Sequence, residues 1–89
     1  AETLGKDHPD YAETCNSLAR LYQDQGLYEQ AEALFIEAKK IIESSVGKED
    51  ERYTTNCMNL GILYYEQGLY DKAELLYLEV KAIDEKILG

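Results

Sequence analysis

The sequence predicts an all-α fold, an α-solenoid segment made of two antiparallel helical hairpins. Three observations lead there. A unit of 42 residues occurs twice, with Gly5, Gly47 and Gly89 marking the interval. Within each unit the apolar residues recur at steps of three and four, the period of a helix. One proline (Pro9) and six glycines leave few places for 89 residues to turn.

The repeat is explicit. Laying residues 6–47 on 48–89 gives 18 identities in 42 pairs, beginning at Lys6/Lys48 and including Tyr11/Tyr53, Cys15/Cys57, Tyr22/Tyr64, Ala31/Ala73 and Glu37/Glu79. Many other pairs are conservative, such as Phe35/Tyr77 and Val46/Leu88. The chain thus divides into a unit at 6–47 and a unit at 48–89. Residues 1–5 (AETLG) resemble Asp84–Gly89 (DEKILG) and read as the tail of a preceding repeat. With Ala1 in place of an initiator Met, a longer parent array is expected.

The first helix is expected near 8–25, where Tyr11, Cys15, Leu18, Ala19 and Tyr22 form one stripe. Pro9 suits its first turn, Asp7 or His8 can cap it, and Asp10 and Glu13 favour its positive end. Gly26, able to turn left-handed, ends it. The second helix is expected near 28–46, on Tyr28, Ala31, Leu34, Phe35, Ala38, Ile41 and Ile42, and Gly47 closes it. The second unit repeats the pattern near 50–67, with Tyr53, Cys57, Leu60, Gly61 and Tyr64. The last helix is expected near 70–88, with Tyr70, Ala73, Leu76, Tyr77, Val80, Ile83 and Ile87. Short turns within each unit make antiparallel hairpins. Ala19 and Gly61 are expected opposite Ala31 and Ala73, where small side chains let the two backbones approach.

These positions resemble the tetratricopeptide repeat, with pattern W-x2-L-G-x2-Y…A-x3-F…P. The first unit reads Cys15-x2-Leu18-Ala19-x2-Tyr22…Ala31-x3-Phe35, and the second Cys57-x2-Leu60-Gly61-x2-Tyr64…Ala73-x3-Tyr77. Cysteine replaces the leading aromatic, and Glu43 and Glu85 replace the closing proline. Without that proline the second helix of each unit runs on, lengthening the repeat. The phrases DHPD (Asp7–Asp10) and QGLYEQAE (Gln25–Glu32) resemble the 42-residue repeats of kinesin light chain, nephrocystin and bacterial arrays, some joined to caspase-like CHAT domains or signalling modules. The second unit departs at the first phrase, with Glu49, Asp50, Glu51 and Arg52.

The resemblance implies a right-handed superhelix whose first helices line a concave face that binds a protein or peptide. By the family's pattern the groove positions are Glu13, Asn16, Ser17, Arg20, Gln23 and Asp24 in the first unit. In the second they are Thr55, Met58, Asn59, Ile62, Tyr65 and Glu66. Asn16 and Asn59 match groove asparagines of the kinesin-like repeats and otherwise read as solvated surface. Met58, Ile62 and Tyr65 make an apolar strip at helical spacing, a partner pocket if exposed, while Met58 and Ile62 can alternatively pack against the next helix. Arg20 is expected to pair with Glu13 or Asp24, or to take a peptide carboxylate. The lysine–asparagine clamp of the chaperone-binding branch is absent at Asn16/Arg20 and Met58/Ile62.

The rest of the composition mainly excludes. Eighteen Asp and Glu against nine Lys and Arg give a net charge of −9, which disfavours nucleic acid and anionic membrane. An acidic groove would steer basic peptides, whereas the kinesin-like branch that the repeats resemble favours acidic cargo motifs, and Glu29, Glu32, Glu37, Glu43 and Glu74 are expected to place much of the charge on the outer helices. Cys15 and Cys57, one repeat apart, are too distant for a disulfide if stacked helices lie about 8–10 Å apart. Both are expected reduced and buried, which suits a cytoplasmic protein. His8 reads as a helix-start contact, and the acidic run Glu49–Glu51 as a solvated helix start. No metal or cofactor is expected, and no catalytic residue. Two readings of function follow: a non-catalytic interaction module, or the regulatory arm of a larger enzyme such as a caspase-like protease. Exposed repeat ends, notably Ile83, Ile87 and Leu88, are expected to favour self-association.

Overall fold

A computed structural model of the protein describes residues 8–89. The expected cap Asp7, the pairing at Lys6 and the tail at 1–5 lie outside the described residues. Four helices follow in order: α1 (Pro9–Asp24), α2 (Tyr28–Ser45), α3 (Glu51–Glu66) and α4 (Tyr70–Leu88). α1 packs on α2, α3 packs on α4, and α2 joins the two hairpins by packing on α3.

The local sequence explains the bounds. His8 stays extended and its Nδ1 accepts the Asp10 N–H at 3.0 Å, capping α1 just ahead of Pro9. Asp50 caps α3 in the same way, its Oδ1 accepting the Arg52 N–H at 2.8 Å. Both first helices end in one motif. The Leu27 N–H bonds the Tyr22 carbonyl at 2.8 Å and the Gly26 N–H bonds Gln23 at 3.0 Å; Leu69 and Gly68 do the same to Tyr64 and Tyr65. The motif requires a left-handed residue, supplied by Gly26 (φ 79°) and Gly68 (φ 78°). α2 and α4 start without a side-chain cap, and Glu29 and Asp71 in their first turns sit at the positive end of the helix dipole.

The core is a layer between helices. Ala12, Cys15 and Ala19 enter it from α1, and Ala31, Phe35, Ala38 and Ile42 from α2. Tyr53, Cys57, Leu60 and Leu63 enter from α3, and Ala73 and Leu76 from α4. α3 is the central element, flanked by α2 and α4. A Cβ on Gly61 would lie 2.7 Å from Cε1 of Tyr77, so the missing side chain is what lets this ring pack over α3.

Burial is uneven in two ways. The two copies do not bury alike: Leu60 and Leu63 are buried, whereas their counterparts Leu18 and Leu21 are 38% and 52% exposed. The reason is neighbourhood, since α3 lies against α2 and no described helix lies on the equivalent side of α1. The acids of α2 are also not all turned to solvent. Glu32 is half-buried and accepts the Tyr64 hydroxyl at 2.6 Å, and Glu37 is half-buried too.

Candidate functional site: the groove between α1 and α3

Helical spacing aligns Glu13, Asn16, Arg20 and Gln23 along one face of α1, and Thr55, Asn59 and Ile62 along the facing side of α3. Two clefts run between them. One, about 300 Å³, is lined by Arg20, Gln23, Asp24, Asn59, Ile62 and Glu66. The other, about 210 Å³, is lined by Glu13, Asn16, Ile42, Glu51, Arg52 and Thr55. At one end Gln23 Nε2 donates to Glu66 Oε1 at 2.8 Å and ties the two walls together.

Met58 and Tyr65 fall elsewhere. Met58 lines a cavity of about 630 Å³ with Tyr77, Val80 and Leu88 of α4. Tyr65 packs edge-on against Tyr70, with ring centroids 5.3 Å apart. The Met58–Ile62–Tyr65 strip is exposed, yet its three side chains serve three different hollows. A helix presents about a third of its circumference to one neighbour, and positions 58, 62 and 65 straddle the border between two.

Asn16 and Asn59 also differ. Asn59 is half-buried on the cleft wall. Asn16 is engaged in the seam, where its Oδ1 accepts the Asn56 side-chain amide at 2.6 Å. Asn56, fully buried, also donates to the Phe35 carbonyl at 3.2 Å. Its role went unread in the sequence. The signal was there: Asn56 is a polar residue inside the stripe Tyr53, Cys57, Leu60, and a buried amide needs partners.

The electrostatics are acidic. Each cleft carries one guanidinium and two carboxylates: Arg20 with Asp24 and Glu66, Arg52 with Glu13 and Glu51. Arg52 is committed, with Nε and Nη2 at 3.1 and 3.3 Å from the two Asp50 oxygens. These hydrogen bonds hold the Asp50 carboxyl below its ordinary range and the Arg52 guanidinium above its own. The Glu49–Glu51 run is a largely exposed helix start, as expected, with Asp50 capping α3 and Glu49 paired with Lys86 at 2.6 Å. The expected pairing of Arg20 with Glu13 or Asp24 is not formed, and Arg20 makes no ion pair among the described residues.

Both cysteines are free and buried. Burial and the nearby Glu79 push the Cys57 thiol up to about 11, and burial with Glu37 raises Cys15. No cluster of three or more His, Cys, Asp or Glu residues converges among the described residues. None of the described helices is long and apolar enough to cross a membrane.

Comparison with known proteins gives one result on family. Residues 15–86, most of the chain, match the family model described as tetratricopeptide repeat. Among curated proteins none matches the chain.

Proposed function

Because the chain belongs to the tetratricopeptide repeat family, we propose that it is a non-catalytic interaction module that holds a partner segment in the groove between α1 and α3. Repeats of this family generally mediate protein–protein contacts, and their surfaces bind extended segments of partners. The ligand class follows from the groove's own chemistry. Two carboxylates to each guanidinium favour a basic peptide, and Ile62 offers an apolar contact beside the polar Asn59. Arg20, free of ion pairs among the described residues, is available for a carboxylate or carbonyl of the peptide.

The same reading assigns repeat units at 6–47 and 48–89, the 42-residue subtype similar to kinesin light chain repeats, and a place in a longer right-handed array. A cytoplasmic location goes with it, supported by the two free thiols. The observation that carries the proposal is the pair of acidic clefts walled by residues of both α1 and α3.

The test is a peptide panel of equal length and apolar content, varied from basic to acidic, titrated against the chain by fluorescence anisotropy. Basic peptides should bind, with affinity falling as salt rises. Equal binding of acidic peptides would remove the charge argument, and binding unaffected by Ile62→Ala would remove the groove.

A further inference from the structure

A separate cleft of about 530 Å³ lies between α2 and α4, with Leu60 and Tyr64 of α3 as its floor. Ile36, Lys39, Lys40 and Glu43 form one wall. Lys72, Leu75, Leu76 and Glu79 form the other. Both walls follow steps of three, one and three, so each shows one helical stripe two turns long, about 10 Å. The chain reverses direction after α2 and again after α3, which leaves α2 and α4 running the same way. Walls and floor all belong to described helices, so the cleft's shape is independent of either end of the chain.

The repeat separates what the fold uses from what this cleft adds. Lys39 and Glu79 are identical in the other unit, at Lys81 and Glu37. They lie 3.9 Å apart, and Glu79 also accepts the Tyr53 hydroxyl at 2.6 Å. Lys40, Lys72 and Leu75 are not repeated, for the other unit has Ala82, Gln30 and Ala33 there. All three are exposed, Leu75 to 69%. The two cleft carboxylates are already matched, Glu79 by Lys39 and Glu43 by Lys48 at 3.6 Å. Lys40 and Lys72 make no ion pair among the described residues, and Lys72 rests over the Tyr64 ring, 5.3 Å from its centroid. Two unmatched ammonium groups thus stand on opposite walls of an apolar cleft, on a chain of net charge −9.

We propose that this cleft is a second docking surface, whose occupant is an acidic amphipathic helix of a partner protein. The helix lays its apolar stripe along Ile36, Leu75 and Leu76, and its carboxylates reach Lys40 on one wall and Lys72 on the other. Two helical ridges with a trough between them accept a third helix by the same ridge-and-groove packing that builds the hairpins. Charge decides where the helix lands. The acidic groove between α1 and α3 repels it, and the lysines of this cleft attract it. A basic segment in the groove and an acidic helix here are held at once by one chain. The two sites stand on different residues, so either survives the failure of the other.

The probe is a labelled peptide of about 15 residues, with leucines at helical spacing and glutamates flanking them. It is titrated against the whole chain by fluorescence anisotropy and by backbone amide shifts. Saturable shifts should centre on Lys40, Lys72 and Leu75, with affinity falling as salt rises. Lys40→Glu/Lys72→Glu and, separately, Leu75→Glu should each weaken binding at least about tenfold, and Ile62→Ala should change it less than about threefold. A scrambled peptide of the same composition should bind at least about tenfold more weakly. The lysine double variant should regain shifts at Leu75 with the peptide whose glutamates are replaced by lysines, which also proves that variant folded. Unchanged binding in the lysine double variant overturns the proposal. So does a loss confined to Ile62→Ala, which would place the acidic peptide in the groove between α1 and α3. Shifts at Leu75 on concentrating the chain alone would make a second copy the occupant, and binding to phosphatidylserine vesicles without peptide binding would make it a membrane; both overturn it.

Discussion

The Asn56 side-chain amide donates to Asn16 Oδ1 across the seam between α3 and α1, at 2.6 Å. Its second bond, to the Phe35 carbonyl of α2, makes Asn56 the polar rivet of three helices. A fully buried amide with such partners fixes the register of one hairpin on the other more sharply than apolar contact does. Asn56→Ala should lower the unfolding free energy by about 1–3 kcal/mol, and Asn16→Ala by about 0.5–1.5 kcal/mol. Urea denaturation of both and of the double variant checks this. Additive effects would show that the two side chains are not coupled.

The groove makes a prediction that separates neighbouring positions. Replacing Met58, Ile62 and Tyr65 together by Ala should weaken peptide binding little more than Ile62→Ala does alone. Because only Ile62 lines the α1–α3 cleft, Ile62→Ala alone should weaken binding about tenfold, while Met58→Ala changes it less than about threefold. Titration of each single variant with one basic peptide distinguishes them. A larger loss from Met58→Ala would move the site to the outer face of the second hairpin.

Ala31 is fully buried in the first hairpin. Ala31→Leu forces extra methylene volume between α1 and α2 and should cost roughly 1–3 kcal/mol. The melting temperature reports it. An unchanged value would mean the α1–α2 seam is loosely packed.

High pH should unfold the chain through its buried phenols. Burial, together with hydrogen bonds to Glu79 and Glu32, raises Tyr53 and Tyr64 far above the ordinary phenol value near 10. The fold favours the neutral form of both. Their contribution is complete below about pH 10 and is lost as pH climbs from the unfolded value toward the folded one. Cys57, pushed up to about 11, has the same sign. The urea midpoint should therefore fall above about pH 10, and fall less in Tyr53→Phe/Tyr64→Phe. Identical pH profiles for the two proteins would contradict this origin.

Much of the fold was legible because helices, caps and turns are written locally. His8 before Pro9, and the glycines at 26 and 68, mark ends that depend on neighbours a few residues away. What depended on tertiary neighbours was not legible. Leu21 and Leu63 are the same residue at the same repeat position, yet one is exposed and the other buried. Position in the stack, and not residue type, decides between them. The groove shows the same limit. The family resemblance named Arg20, Gln23, Asn59 and Ile62 as groove positions, and they line one cleft, but Met58 and Tyr65, named with them, belong to other hollows. Asn56 was hidden because its counterpart Thr14 is an exposed residue at the helix start, so the comparison of repeats flagged nothing there.

Backbone amide chemical-shift mapping with a basic, apolar-anchored peptide tests the central claim most directly. The account predicts saturable shifts centred on Arg20, Gln23, Asn59 and Ile62, with little change at Ile36, Lys40 and Leu75 on the cleft between α2 and α4. Shifts concentrated on Ile36, Lys40 and Leu75, with the α1–α3 walls unmoved, would contradict it.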